Sequence, residues 1–262
     1  MEKVIRQAVV SVVIFFAVLF GFSRIDWMSL FNLDGLKIEE RLGDMYWKVF
    51  SETEACIATD SVCAPLDTLL THLCRTNEID RSKIKLHVIR TEEVNAFAFP
   101  DNHLVIYSGL INECENESEL CGVIAHELAH LQFGHVMHKL KKEIGLSVLL
   151  GSTVGNNGAE VMKEGIKLLS STAYDRNMEE EADRVAVSYL ICARIDPKPM
   201  ADFLLRLAEK EQIVPVVSEW ISTHPDTKLR SEQIMNLSDR QQKESEPILS
   251  ALQWDAMKRG IR

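Results

Sequence analysis

The sequence predicts an α+β fold, mainly helical, with a small antiparallel sheet beside one long buried helix. Three observations predict it. Apolar residues recur at helical spacing through most of the chain, strand-like runs cluster at Ile84–Ile89, Val94–Phe99 and His103–Tyr107, and Leu120 to Phe133 is apolar on almost every side. Composition agrees. The 262 residues, 46% hydrophobic and 26% charged with 12 Gly and 7 Pro, suit one folded core plus a short appendage and exclude a collagen-like or disordered chain.

Taken in order, the elements begin with Ala8 to Phe22, which carries no charge and follows Lys3 and Arg6. Read from Val4, it is long enough to span a bilayer, no small-x-small cleavage site follows, and the flanking cations leave the N-terminus cytoplasmic. Residues 1–24 are therefore expected to form an uncleaved signal anchor, with the alternative of a signal peptide that is removed. The mean hydropathy of −0.04 excludes a chain with many spans. Helices are expected at Leu36–Glu54 and Pro65–Arg75. Pro100, Asp101 and Asn102 supply the turn between the last two strand runs. Asn116 and Glu119 form an N-cap and N3 pair ahead of Leu120–Phe133, and Gly134 ends that helix. A buried or lid helix is expected at Ile144–Thr153. Further helices follow at Met178–Cys192, at Pro197–Gln212 with Asp196 as its cap, and at Thr227–Leu237. Residues 25–237 form the main domain in this reading. Residues 238–262 then supply a charged linker and an amphipathic helix packing on the domain.

Charge and cysteines narrow the partners and the compartment. With 29 Lys+Arg against 39 Asp+Glu the net charge is −10, and the pI near 5.3 argues against a nucleic-acid partner. The six cysteines allow disulfides if the domain is exported, and Cys56 with Cys63 is the expected pair because they bracket a polar loop. Cys74 lies on the Leu66, Leu69, Leu70, Leu73 stripe and Cys192 ends an apolar helix, so both are expected to be buried.

The chemistry is concentrated in His126-Glu127-Leu128-Ala129-His130, an H-E-x-x-H within a helix. Residues four apart share a helix face, so two imidazoles can meet one zinc ion while the intervening Glu127 reaches the attacking water. A catalytic zinc needs a third protein ligand, and Glu179 is the best downstream candidate. It shares a helix face with Asp183, so that one binds metal while the other orients a ligand imidazole; Glu180 and Glu181 point elsewhere.

The chain resembles the zinc metallopeptidases of the HtpX type, which include the CAAX prenyl proteases and bacterial envelope proteases. The resemblance runs through most of residues 36–237. It rests on Asn95-Ala96-Phe97-Ala98 before Pro100, Ser108-Gly109-Leu110, the His126–His130 motif, Arg176 followed by Glu179-x-x-Ala182-Asp183-Arg184, and His224-Pro225 with Arg230. It implies a zincin fold of gluzincin-like type and one Zn2+ per chain held by His126, His130 and Glu179, with Glu127 as catalytic base. It also implies His224 and Arg230 near the substrate carbonyl, and Asn95, Ala96, Phe97 and Ala98 as the edge strand on which substrate lies. Two positions depart from the family pattern: Asp175 stands for a Ser, and Asp101-Asn102 for a Gly-Gly turn. The resulting expectation is a membrane-anchored zinc endopeptidase of the bacterial inner membrane with its catalytic domain in the periplasm. It would cut unfolded or misassembled polypeptides, with envelope assembly complexes as candidate partners. The alternative is a zinc-bound chaperone that holds clients without cleavage. At rest a water is the default occupant of the fourth zinc position, with coordination by His224 as the alternative.

Overall fold

The computed structural model describes residues 35–145, 158–210, 218–238 and 245–261. The expected anchor at 1–24 lies outside them, as does the helix expected at 144–153 from residue 146 onward. Among the described residues no helix is long and apolar enough to cross a membrane. The chain divides into two compact units, Met1–Glu40 and Arg41–Arg262, and the site lies wholly in the second.

Helix α1 (Gly35–Ser51) is followed by α2 (Asp60–Thr76), whose Leu66, Leu69, Leu70 and Leu73 are fully buried. At about 1.5–3 kcal/mol per side chain this stripe anchors α2 in the core. Strands β1 (Lys85–Ile89), β2 (Ala96–Phe99) and β3 (His103–Tyr107) form one sheet in the order β1-β3-β2. Strands β2 and β3 are antiparallel, with Phe99 opposite His103, as expected for a hairpin. Contrary to expectation β1 joins parallel to β3, Lys85 opposite His103, so the sheet is mixed. Asp101 and Asn102 both take left-handed backbone, φ 60° and 57°. That conformation matches the twist of a tight hairpin, and Asp and Asn tolerate it well enough to stand where glycines are usual.

Among the described residues eight further helices precede the C-terminal one. The first seven are α3 (Ser108–Glu113), α4 (Glu117–Gln132), α5 (His135–Glu143), α6 (Gly158–Ser171), α7 (Arg176–Cys192), α8 (Lys198–Lys210) and α9 (Ser218–Thr223). Then come α10 (Thr227–Ser238) and α11 (Ala251–Gly260). Helices α3, α5, α6 and α9 have no counterpart in the sequence reading. Asn116 caps α4 by accepting from Glu119 N at 3.0 Å, whereas the Glu119 carboxylate turns to Glu115 N and to Arg206 of α8. Asp196 accepts from Lys198 N at 3.0 Å, the cap expected for α8.

Helix α4 is central: α2, α5, α7, α8 and β2 all pack on it. Gly122 permits the approach of α8, since a Cβ there would stand 2.6 Å from Met200 Cβ. The C-terminal segment closes the start of α4. Ile248 N and Leu249 N donate to the two carboxylate oxygens of Glu117 at 2.6 and 2.8 Å, α11 packs on α2, and Lys258 Nζ donates to the carbonyls of Ile111, Asn112 and Cys114 around the end of α3.

All six cysteines are free, which corrects the expected Cys56–Cys63 bridge. Cys63 sits in the first turn of α2 with its thiol on Ile57 O, while Cys56 is held in an isolated bridge to Ile89 with its thiol on Glu54 O. Cys74 is buried as expected. Cys192, at the last position of α7, is exposed.

Candidate active site

Three neighbouring elements supply the site around α4. His126, Glu127 and His130 are fully buried on α4, Glu179 and Asp183 face them from α7, and Arg230 enters from α10. His224 follows the end of α9, its N–H donating to Trp220 O at 2.8 Å. The helical period explains the pairing, since residues four apart on α4 and again on α7 fall on the faces where these two helices meet.

The donor atoms converge. His126 Nε2 and His130 Nε2 are 3.0 Å apart, and the Glu179 oxygens lie 3.5 Å from the first and 3.3 Å from the second. His224 Nδ1 joins them, 3.3 Å from His126 Nε2 and 3.0 Å from Glu179 Oε1. His126, His130, Glu179 and His224 thus form a buried group able to hold a metal ion. Tetrahedral ligands at ~2.1 Å from a zinc ion would be separated by about 3.4 Å, so these spacings fit such an ion without rearrangement.

Around this group many of the polar atoms are assigned. Asp183 Oδ1 is 2.9 Å from His126 Nδ1, which fixes the proton there and turns Nε2 inward. Arg230 binds Asp183 through Nε and Nη2, both at 2.7 Å, and its Nη1 is 2.7 Å from Glu179 Oε2. The guanidinium is therefore committed to two carboxylates. To reach the substrate carbonyl, the place expected for it, Arg230 would have to share or release one of these contacts. Glu127 stands out, because both of its carboxylate oxygens are buried without a hydrogen-bond partner, Oε1 approaching His224 Nε2 at 3.3 Å outside hydrogen-bond alignment; His224 Nε2, Arg230 Nη1, Tyr174 Oη and Trp220 Nε1 also lack an aligned partner.

The electrostatics follow from burial set against these neighbours. Burial opposes charge on Glu179, but Arg230 and the imidazoles outweigh it and hold the carboxyl well below its ordinary range. Asp183 is likewise depressed against the cost of burial, chiefly by Arg230. Burial would lower His224, yet Glu179 and Glu127 push it up to about 9. His126, where burial dominates, is lowered to about 4 and so remains a neutral donor.

The four expected substrate-strand residues, Asn95, Ala96, Phe97 and Ala98, are all buried. β2 is an edge strand by hydrogen bonding, but α6 packs against it and Asn95 Nδ2 donates to Ser170 O at 2.9 Å. An incoming strand would have to displace α6. Arg176 and Asp175 stand at the surface, paired with Asp226 and Lys142. Three aromatic or imidazole neighbours escaped the sequence reading. Tyr174 stacks on His130 with centroids 4.0 Å apart, Trp220 lies 4.2 Å from His224, and His135 Nδ1 is 3.0 Å from His130 Nδ1.

Comparison with known proteins agrees with this geometry. The model of peptidase family M48 matches residues 63–238, about two thirds of the chain. The chain belongs to peptidase family M48. As an M48 chain it is a metallopeptidase, and its buried donor group could hold a metal ion. It is 27% identical over 201 residues to the beta-barrel assembly-enhancing protease of Yersinia pestis, covering 71% of this chain and 41% of that protein. The protein of the same name from Escherichia coli K12 is 25% identical over the same shares. The mitochondrial metalloendopeptidase OMA1 of Schizosaccharomyces pombe is 25% identical over 209 residues, covering 78% of this chain and 62% of that one. The M48 chain spans about two fifths of the length of the bacterial relatives it matches.

Proposed function

We propose that this M48 chain is a zinc-dependent endopeptidase in which His126, His130 and Glu179 hold the ion and Glu127 is the general base. The observation that carries the reading is the buried, unpartnered carboxylate of Glu127 beside three converging donors. Leaving such a group unsatisfied costs several kcal/mol unless a reacting water or substrate uses it. When bound, zinc would supply Lewis acidity toward the scissile carbonyl and a lowered pKa for the attacking water. Glu127 receives the water's proton at its carboxylate and returns it to the departing amine nitrogen. Burial raises the cost of charge on Glu127, but His224, His130 and His126 keep it ionised and ready to accept.

His224 has two positions to play in this reading. As the structure stands it is a cation between Glu179 and Glu127; on giving up that proton its Nδ1 could join the three ligands as a fourth, and with a client chain in the site its Nε2–H could instead steady the oxyanion. Arg230 and Asp183 hold Glu179 and His126 in register throughout.

The substrate class follows from the likeness to proteases named for β-barrel assembly and to OMA1, and from the edge position of β2. Once α6 is displaced, such an edge would recruit extended backbone with little regard to sequence, which suits unfolded or misassembled polypeptides better than prenylated peptides. Residues 1–24 would anchor the domain in the inner membrane of a bacterial envelope, placing the HtpX-type catalytic unit in the periplasm. Glu127→Gln tests the core of the proposal. It should abolish digestion of casein while leaving about one zinc per chain by elemental analysis, and digestion at the wild-type rate would overturn the assignment.

A further inference from the structure

The two ligand imidazoles are oriented by different means. His126 donates its Nδ1–H directly to Asp183, an ionised carboxylate locked by Arg230. His130 has no carboxylate at its Nδ1. It meets another imidazole, His135, whose far nitrogen Nε2 lies 3.3 Å from Glu181 Oε2 on α7.

The direction of this chain of contacts can be worked out from its outer end. A carboxylate only accepts, so the proton between Glu181 and His135 is carried by His135 Nε2. His135 Nδ1 then has a lone pair and accepts the Nδ1 proton of His130, which leaves the His130 Nε2 lone pair facing His126 Nε2 and Glu179. Stacking does not do this by itself. Tyr174 lies parallel to His130 at 4.0 Å and fixes the plane of the ring, but a half-turn of the imidazole in that plane keeps the stacking while removing Nε2 from the site. The bond to His135 at Nδ1 favours the rotation that keeps Nε2 in the site before a metal ion is bound.

The backbone is shaped to make the contact. His135 is five residues beyond His130, too far to share its face on an unbroken helix. Gly134 intervenes with φ of 66°, a left-handed conformation that ends α4 and starts α5, and it delivers a buried His135 side chain back to His130. Glu181 is the member of the Glu179, Glu180, Glu181 run that faces α5, whereas Glu180 is exposed.

We propose that His135 and Glu181 are positioning residues that set the tautomer and rotation of the ligand His130, as Asp183 does for His126. The inference rests on the zinc reading of the site.

The test is zinc affinity of the full chain by competition with a chromophoric chelator, with unfolding of the chelator-treated protein followed in parallel. His135→Phe keeps a ring but removes the acceptor, and it should weaken zinc binding about 10–100-fold. His135→Asn restores an acceptor near the Nδ1 position and should recover affinity to within about threefold of wild type, which mere packing of the ring would not explain. Glu181→Leu, altered at a partly exposed side chain, should weaken zinc by a smaller factor and serves if His135→Phe does not fold. Wild-type affinity in both His135→Phe and Glu181→Leu, or no recovery in a folded His135→Asn, overturns the proposal. Failure of the underlying reading is separately visible: His126→Ala and Glu179→Ala would then bind zinc as wild type does, or wild type would bind none.

Discussion

Replacing Arg230 by leucine is expected to destabilise the folded protein by about 3–5 kcal/mol, the range for removing one partner from a buried ion pair. The structure gives the reason. Arg230 is buried, and three of its nitrogens lie 2.7 Å from the oxygens of two carboxylates that are themselves buried. Each charge pair at ~4 Å contributes about 4 kcal/mol at an effective dielectric near 20, and two of them outweigh the several kcal/mol needed to desolvate the guanidinium. Without it, Glu179, Asp183 and Glu127 would share a dry site with His224 as the main counter-charge. The assay is urea or thermal unfolding, where the loss corresponds to roughly 6–20 °C in Tm for a domain of this size. Arg230→Lys, which keeps the charge but not the two-pronged contact, should lose about 1.5–3 kcal/mol. If Arg230→Leu unfolded within ~1 kcal/mol of wild type while its kcat fell a hundredfold or more, the positioning role would be refuted in favour of direct contact with the oxyanion.

Two other outcomes are expected. Gly122→Leu should force α8 from α4, because even a single Cβ meets Met200 at 2.6 Å, costing about 1–3 kcal/mol or more in chemical denaturation. Stability should also fall as pH drops from about 6.5 toward 4. Burial, with Lys85 close by, lowers His103 to about 4, and burial with His103 close by lowers His87 to about 3. The unfolded chain therefore binds protons in that window that the folded chain refuses, so ∂ΔG/∂pH is positive there. His103→Gln should flatten the pH–stability curve by about 1–2 kcal/mol across it, and an unchanged slope would exclude this origin.

The sequence made α4 legible because its apolar residues, its cap at Asn116 and the spacing of His126 and His130 all reported the same helix. Glu179 and Asp183 were legible for the same reason, a four-residue interval on one face. The parallel pairing of β1 was hidden, since alternation of side chains gives a strand its faces but not the direction of its neighbour. Helices α5 and α6 were missed because Gly134 read as a terminator and Lys-rich or Gly-containing surface faces diluted the apolar stripe. His135 escaped because its spacing from His130 is not helical. Asking what His130 Nδ1 donates to would have been the signal. The contacts of Arg230 were not legible, because sequence cannot show that its guanidinium lies against two buried acids on another helix.

The clamp formed by the C-terminal segment bears on where an autonomous fragment can be cut. The family match stops at residue 238, yet Glu117 at the start of α4 relies on the amides of Ile248 and Leu249, and α2 is roofed by α11 with Met257 and Ile261 buried. A polypeptide trimmed to the matched span would bare that apolar seam and leave the first turn of the HExxH helix without its outer partners. The smallest expressible unit of this enzyme is therefore longer than its family signature, and a protease that nicks the segment between α10 and α11 would loosen the catalytic helix from the end farthest from its imidazoles.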